Sequence, residues 1–242
     1  MKRLLLVFTA VIFSLTAFSQ NNFKFDKIKI CVPAKVFIKY APKTQISVTD
    51  SATGKTQILL FSSLNSNNSF KPNVKLKISN NTLYLDQEQN NGLPSKNLTI
   101  TIKTPNISEL DINSVDMIFI DKGFILHSLR INESGAGVIE ISGPNIIKKL
   151  TVNCNGASVI KIDTKSHAID SVNINIAGAS VFICKTPINN LNAQISGASY
   201  CKVNVINNLK ADIVGFSILN YTGNPKFKHI TSDGLAAITH NN

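Results

Sequence analysis

From residue 112 onward the chain repeats one short motif, and the period of that motif limits the fold more than any bulk property. The segments INSVDMIFI (112–120), ESGAGVIEI (133–141), CNGASVIKI (154–162), IAGASVFIC (176–184), ISGASYCKV (195–203), IVGFSILNY (213–221) and SDGLAAITH (232–240) align on Ser114, Gly135, Gly156, Gly178, Gly197, Gly215 and Gly234. The anchors are spaced 21, 21, 22, 19, 18 and 19 residues apart, 120 residues over six steps and a mean of 20. A repeat of this length is one supersecondary unit that buries its apolar face only by stacking on its neighbours.

Columns relative to the anchor carry the pattern. Six positions before it stand Leu129, Leu150, Val172, Leu191 and Leu209; four before it, Leu110, Ile131, Val152, Ile174, Ala193 and Ala211. Four after it come Ile118, Ile139, Ile160, Phe182, Cys201 and Leu219; six after it, Ile120, Ile141, Ile162, Cys184, Val203 and Tyr221. Apolar and polar residues alternate within each repeat, which is strand periodicity. The reading is an all-β, single-domain solenoid, right-handed and parallel β-helix-like, with about seven coils of about 20 residues. Each coil is two short strands joined at a Gly-Ala-Ser corner.

The six glycines, Gly135, Gly156, Gly178, Gly197, Gly215 and Gly234, are structural turn residues suited to positive φ. Alanine after the glycine (Ala136, Ala157, Ala179, Ala198) is expected on the inner side of a tight corner, so Phe216 in that column predicts a locally widened coil. The serine column Ser158, Ser180, Ser199 and Ser217 predicts corner-stabilising hydroxyls. Asp111, Asn132, Asn153, Asn175, Gln194, Asp212 and Thr231 form an outward polar column able to hydrogen-bond along the axis. Met117, Val138, Val159, Val181, Tyr200 and Ile218 should face outward by alternation, yet they are apolar. Packing that turns them inward is the preferred explanation, and a stripe for a partner is the alternative.

Residues 20–104 read as strands that cap the first coil, with Asn80-Asn81 as a hairpin turn and 62–73 as a polar loop. The repeat region proper is 105–242. Polar residues at core positions of the last coil (Lys228, Ser232, His240) predict a cap there. Residues 1–19 have a basic start (Lys2, Arg3), an apolar stretch and small residues at Ala17 and Ser19, the composition of a secretory signal peptide. This predicts export through the Sec pathway to the periplasm, cell surface or medium. No later segment is long and apolar enough to span a membrane.

Residues 20–242 carry 23 basic against 14 acidic side chains, but Arg130 is the lone arginine among them. Nucleic-acid readout favours arginine, so no nucleic-acid partner is expected; a lysine-rich surface leaves acidic polysaccharide open. Cys31, Cys154, Cys184 and Cys201 do not align in register, and buried free thiols are expected for the last three. Whether Cys31 pairs is left open.

The run FDKIKI…AKVFIK, followed by LTITIKTPNISELDIN and the repeated SGA, NGAS and AGAS corners, resembles the putative auto-transporter adhesin, head GIN domain family, over residues 23–240. The resemblance implies an exported bacterial β-protein with an adhesin-like role and an unknown surface ligand, a polysaccharide or a host or matrix protein. It implies no site residues. It also departs from a complete auto-transporter, because no membrane-barrel segment follows Asn242.

Catalytic constellations are poor. His127, His167, His229 and His240 lack metal-ligand spacing and read as surface residues; no metal or cofactor is expected. The corner serines lack a Gly-x-Ser-x-Gly elbow. Acids are densest in the first coils, where Asp111, Asp116 and Glu133 are the candidate acids or ligands. Glu133 stands in an inward column and is expected to pair with a lysine. A carbohydrate-active β-helix enzyme, lyase or hydrolase, using these acids is the alternative to a non-enzymatic adhesin-like protein.

Overall fold

The computed structural model describes residues 24–50, 54–59, 74–87, 98–114 and 116–241. The expected signal peptide (1–19), the expected 62–73 loop and Val115 lie outside the described residues.

Every regular element among the described residues is a strand. The chain runs β1 Lys27–Cys31, β2 Lys35–Tyr40, β3 Gln45–Asp50, β4 Lys55–Leu59, β5 Val74–Ser79, β6 Thr82–Gln87, β7 Leu98–Thr104, β8 Glu109–Ile112, β9 Met117–Ile120, β10 Ile125–Glu133, β11 Val138–Ser142, β12 Ile146–Cys154, β13 Val159–Asp163, β14 Ile169–Ile176, β15 Val181–Ile195, β16 Tyr200–Gly215, β17 Ile218–Thr222, β18 Phe227–Gly234 and β19 Ala237–Asn241.

Together they form one 19-stranded sheet, folded at its corners into two ladders. The first ladder stacks β1, β8, β10, β12, β14, the second half of β15, the second half of β16, and β18, all parallel. The second stacks β2, β9, β11, β13, the first half of β15, the first half of β16, β17 and β19, again parallel. The Gly-Ala-Ser corners join the ladders, as the repeat predicts. β15 and β16 run through the opposite corner, at 185–187 and near 204, without a break.

The amino-terminal strands stack in an order that differs from chain order. β1 and β2 form a coil that sits directly on β8 and β9. β6 and β7, although later in the chain, pair parallel on the other side of β1 and β2. The chain therefore starts inside the stack, passes outward, and returns through Pro105 to begin β8. Three antiparallel strands close that end: β5 on β6, β3 on β7 and β4 on β3. The β5–β6 hairpin turns at Asn80 and Asn81, both left-handed (φ 50° and 60°), the geometry that a two-residue hairpin turn favours. An antiparallel cover hides the edge that a parallel stack would leave open.

The far end differs. β18 and β19 pair on one side only, and nearly all their residues are exposed, including the core-column residues Lys228, Ser232, Ile238 and His240. The final coil covers the core and is itself uncovered among the described residues.

Between the ladders lies a continuous apolar core. Residues at even offsets from the anchor point in: Leu129, Ile131, Ile139 and Ile141 in one coil, and Leu150, Val152, Ile160 and Ile162 in the next, are each 3% exposed or less. Phe124 and Phe182 are the largest fully buried side chains.

Parity overturns two expectations. Ala136, Ala157, Ala179 and Ala198 stand at an odd offset and are exposed; the small side chain is not an inner-corner requirement. Phe216 in the same column points outward, 69% exposed, and the stack does not widen there, with β16 and β17 in unbroken register. The Met117–Ile218 column also faces out, from half-buried at Val159 to 48% exposed at Met117, so packing does not turn it inward.

The candidate corner site and its relatives

Two polar devices hold the Gly-Ala-Ser corner together. The first is backbone contact between glycines. A Cβ added to Gly156 would lie 1.8 Å from the Gly135 carbonyl oxygen; at Gly178 and Gly197 the corresponding distances to the preceding corner glycine are 2.5 and 2.4 Å. Gly178, Gly197, Gly215 and Gly234 also take positive φ. Gly135 and Gly156 do not, and close approach alone demands glycine there.

The second device is a stitch made by the serines. Ser180 Oγ accepts the Ser158 N–H (3.3 Å) and donates to the Gly156 carbonyl (2.9 Å). Ser158 does the same for Gly137 N–H and Gly135 O, and Ser199 and Ser217 continue the scheme. Each hydroxyl thus satisfies an N–H and a carbonyl of the coil before it, groups that would be costly to bury unpaired. The opposite corner repeats the idea: Thr186 Oγ1 accepts the Thr164 N–H at 2.9 Å, and Asn145 Oδ1 accepts the Phe124 N–H at 2.9 Å.

Asp116 occupies the same inward column as the serines. Its Oδ1 accepts the Ala34 N–H at 2.8 Å, the same stitch applied to the β1–β2 corner, and Ser114 Oγ donates to its other oxygen. Gly137 comes next in that column and brings no side chain. Glu133, whose column otherwise holds Ile112, Cys154, Ile176 and Ile195, occupies this coil. Glu133 Oε1 accepts from Gly135 N–H (2.8 Å) and Ser158 Oγ (3.0 Å). Glu133 Oε2 is buried and has no hydrogen-bond partner among the described residues. No lysine reaches it, so the expected lysine pairing is not found.

Burial pushes both carboxyl groups above the usual carboxylate range. For Glu133, the Ser158 and Gly135 bonds oppose this and the Asp116 charge adds to it; for Asp116, the Ser114 and Ala34 bonds oppose it. Asp111 lies elsewhere. It is on the outer surface of β8, 3.3 Å from Lys29 Nζ. The three candidate acids do not meet: Asp111 faces solvent, while Asp116 and Glu133 are sealed within the corner, 4% and 3% exposed.

The raised acid has a measurable consequence. An acid with a raised folded pKa stabilises the fold fully below its unfolded value, and that contribution is lost as pH rises through the folded pKa. Between pH 4 and pH 7 the wild-type protein is expected to lose stability relative to Glu133→Gln, because burial holds the Glu133 carboxyl above its unfolded range. Denaturant titrations of the two proteins at pH 4, 5.5 and 7 check this; parallel pH profiles would contradict it.

The polar outer column behaves as expected at two steps, where Asn153 Nδ2 donates to Asn132 Oδ1 at 2.8 Å and Thr231 Oγ1 donates to Asp212 Oδ1. Asn132 in turn donates to Glu109. The four histidines are exposed; His240 stacks on Tyr221 with ring centroids 4.5 Å apart. Among the described residues no cluster of three or more His, Cys, Asp or Glu side chains could hold a metal ion.

All four cysteines are free, and Cys154, Cys184 and Cys201 are buried. Burial pushes the Cys184 thiol up to about 12 and raises Cys201 further still. The reactive species is the thiolate. Burial raises the Cys31 thiol as well, but Cys31 is half-buried where the other three are buried, so iodoacetamide at pH 8 is expected to modify the folded protein at Cys31 alone, slowly, and all four thiols after unfolding. Peptide mass mapping reads the result.

Sequence comparison with curated proteins gives no match. Among solved structures, an adhesin described as putative from Bacteroides fragilis superposes with a TM-score of 0.75 at 18% identity, covering 90% of this chain and 93% of that one. A lipid-binding protein, also described as putative, from Parabacteroides distasonis gives 0.62 at 16% identity, with the same coverage. A putative adhesin from Parabacteroides merdae gives 0.51 at 14%, covering 91% and 93%. At these identities the likeness is one of fold. The family model for the putative auto-transporter adhesin, head GIN domain, matches residues 37–225. With the corner repeats, the parallel stack and that match in agreement, the chain belongs to the head GIN domain family of putative auto-transporter adhesins.

Proposed function

We propose that the protein is exported and acts at the bacterial envelope as a non-enzymatic, adhesin-like binding module whose ligand docks on the outside of the second ladder. The observation that carries this reading is a double apolar column on that surface. Exposed Ala136, Ala157, Ala179 and Ala198 run beside half-buried Val138, Val159, Val181 and Tyr200. Contiguous outward apolar surface of this kind contributes little to a core and marks interaction sites. Family membership and the adhesin-like structural neighbours support the same reading. The acids singled out in the first coils support it from the other side, since two are sealed in the corner and the third is ion-paired.

The test uses purified residues 20–242 against arrays of immobilised glycans and matrix proteins, with Val159→Asp/Val181→Asp as the control. The reading expects a ligand that the wild type retains and the double variant releases, with both proteins folded. Turnover of a polysaccharide, lost on Glu133→Gln or Asp116→Asn, would instead establish the enzyme.

A further inference from the structure

The amino-terminal end of this same outer surface carries a second, chemically different feature. Phe37 of β2 and Phe119 of β9 are register partners, and their rings stack with centroids 5.2 Å apart and planes 21° from parallel. Lys35 Nζ stands 5.2 Å from the Phe37 centroid and 5.3 Å from that of Phe119; Lys39 Nζ stands 5.7 Å from the Phe37 centroid. The rings hold two ammonium groups upright by cation–π attraction. Lys39 is also the register partner of Lys103 on β7, which puts two like charges on neighbouring strands about 4.8 Å apart. Like charges directly opposite one another oppose pairing.

None of the three lysines makes an ion pair among the described residues. Two acids occupy neighbouring positions on this surface, Asp121 beside Lys39 and Glu140 beyond Phe119 in the ladder; neither forms a salt bridge with the three lysines, and Asp121 Oδ1 accepts the Lys122 N–H.

Three ammonium groups with no ion-pair partner among the described residues, two of them set over aromatic rings, make a preorganised anion site. We infer that the Lys35–Lys39–Lys103 platform binds an acidic polysaccharide through its carboxylate or sulfate groups. This rests on the reading of the outer surface as a binding face. A chain polymer fits better than a lipid headgroup. The rings are half-buried beneath the ammonium groups, so a partner meets charge before apolar surface, whereas docking to a bilayer needs apolar side chains standing proud of the charge. The parallel register of β7, β2 and β9 also presents the charges in rows that a linear polyanion can follow.

The experiment measures binding of folded residues 20–242 to polygalacturonate and dextran sulfate, with neutral dextran and phosphatidylglycerol vesicles alongside. Two triple variants are compared: Lys35→Gln/Lys39→Gln/Lys103→Gln on the platform, and Lys148→Gln/Lys149→Gln/Lys210→Gln on the first ladder. The wild type is expected to bind both acidic polymers and not neutral dextran, with affinity falling as salt rises. The platform variant should lose about tenfold or more while melting no lower than wild type, because a like-charge neighbour is gone. The first-ladder variant should bind as wild type. Equal loss in both variants, preference for vesicles over polysaccharide, or no binding to either polyanion would each overturn the inference. In the last case, a neutral glycan or matrix protein captured through Val159 and Val181 would still leave the adhesin-like reading intact.

Discussion

Gly156→Val unfolds the solenoid at its centre. The Cβ of any residue other than glycine at position 156 falls 1.8 Å from the carbonyl oxygen of Gly135, and that oxygen also accepts the Ala157 N–H that ties the two corners together. The clash is with backbone, so no side-chain rotation relieves it. The coils must separate or the corner must move, and either breaks the serine stitches at Ser158 and Ser180. The expected loss exceeds about 4 kcal/mol, in the class reserved for disrupted cores and strained backbone. Gly234→Ala provides the internal comparison. It lies in the open final coil, where a new Cβ meets backbone atoms of Gly215 at 3.2–3.3 Å and needs only a small shift of that coil, so its cost is mainly the left-handed φ of 78°, about 1–2 kcal/mol. Denaturant unfolding of both variants gives the ranking. A Gly156→Val protein that unfolds with its parent would mean that the corners do not stack as described.

The second large effect concerns Phe182. Its side chain is fully buried, between Ile160 on β13 and Cys201 on β16 in the same column. A large ring beside a small thiol fills the layer, as interdigitating cores require. Phe182→Ala is expected to cost about 3–5 kcal/mol. The neighbouring coils are fixed by the hydrogen bonds of β15 with β13 and β16, which limits collapse into the cavity. Phe216→Ala, at an exposed site in the next coil but one, should change stability by less than about 0.5 kcal/mol. Chemical denaturation of the pair separates the inward from the outward column. Equal effects would contradict the assignment of faces.

Those two phenylalanines also mark where the sequence was easy and hard to read. The even-offset columns were legible because a stack needs the same apolar position filled in every coil, so Ile139, Ile160 and Phe182 announce themselves. The corner was misread because alanine is apolar and small, which suggested an inner position. Strand parity continues through the corner and places Ala157 outside and Ser158 inside, and parity was the stronger rule. The same rule assigns Val159 outward, against the pull of its hydrophobicity. Asp116 was legible as a candidate acid but not as a member of the serine column, because Val115, Ser114 and the missing glycine disguise the first corner.

The amino-terminal order was beyond sequence reading. Pairing of Lys27 with Glu109 and of Lys35 with Met117 joins residues about 82 apart in the chain. No local propensity records that β6 and β7 stack outside β1 and β2. β4 is not legible on its own, because KTQIL is short and follows a turn at Gly54; its antiparallel pairing with β3 supplies what its own sequence does not. The unpartnered Glu133 oxygen was equally out of reach: sequence placed the residue inward, but only the folded corner brings serine and glycine, rather than lysine, around it.

The central proposal is that this solenoid is displayed at the cell surface and binds an external ligand through the outside of its second ladder. Protease accessibility on intact cells that make the protein tests it most directly, with a lysed-cell control and an antibody to residues 20–242. The account predicts digestion in intact cells. Protection until lysis would place the outer surface of the second ladder out of reach of any external ligand and would contradict the account.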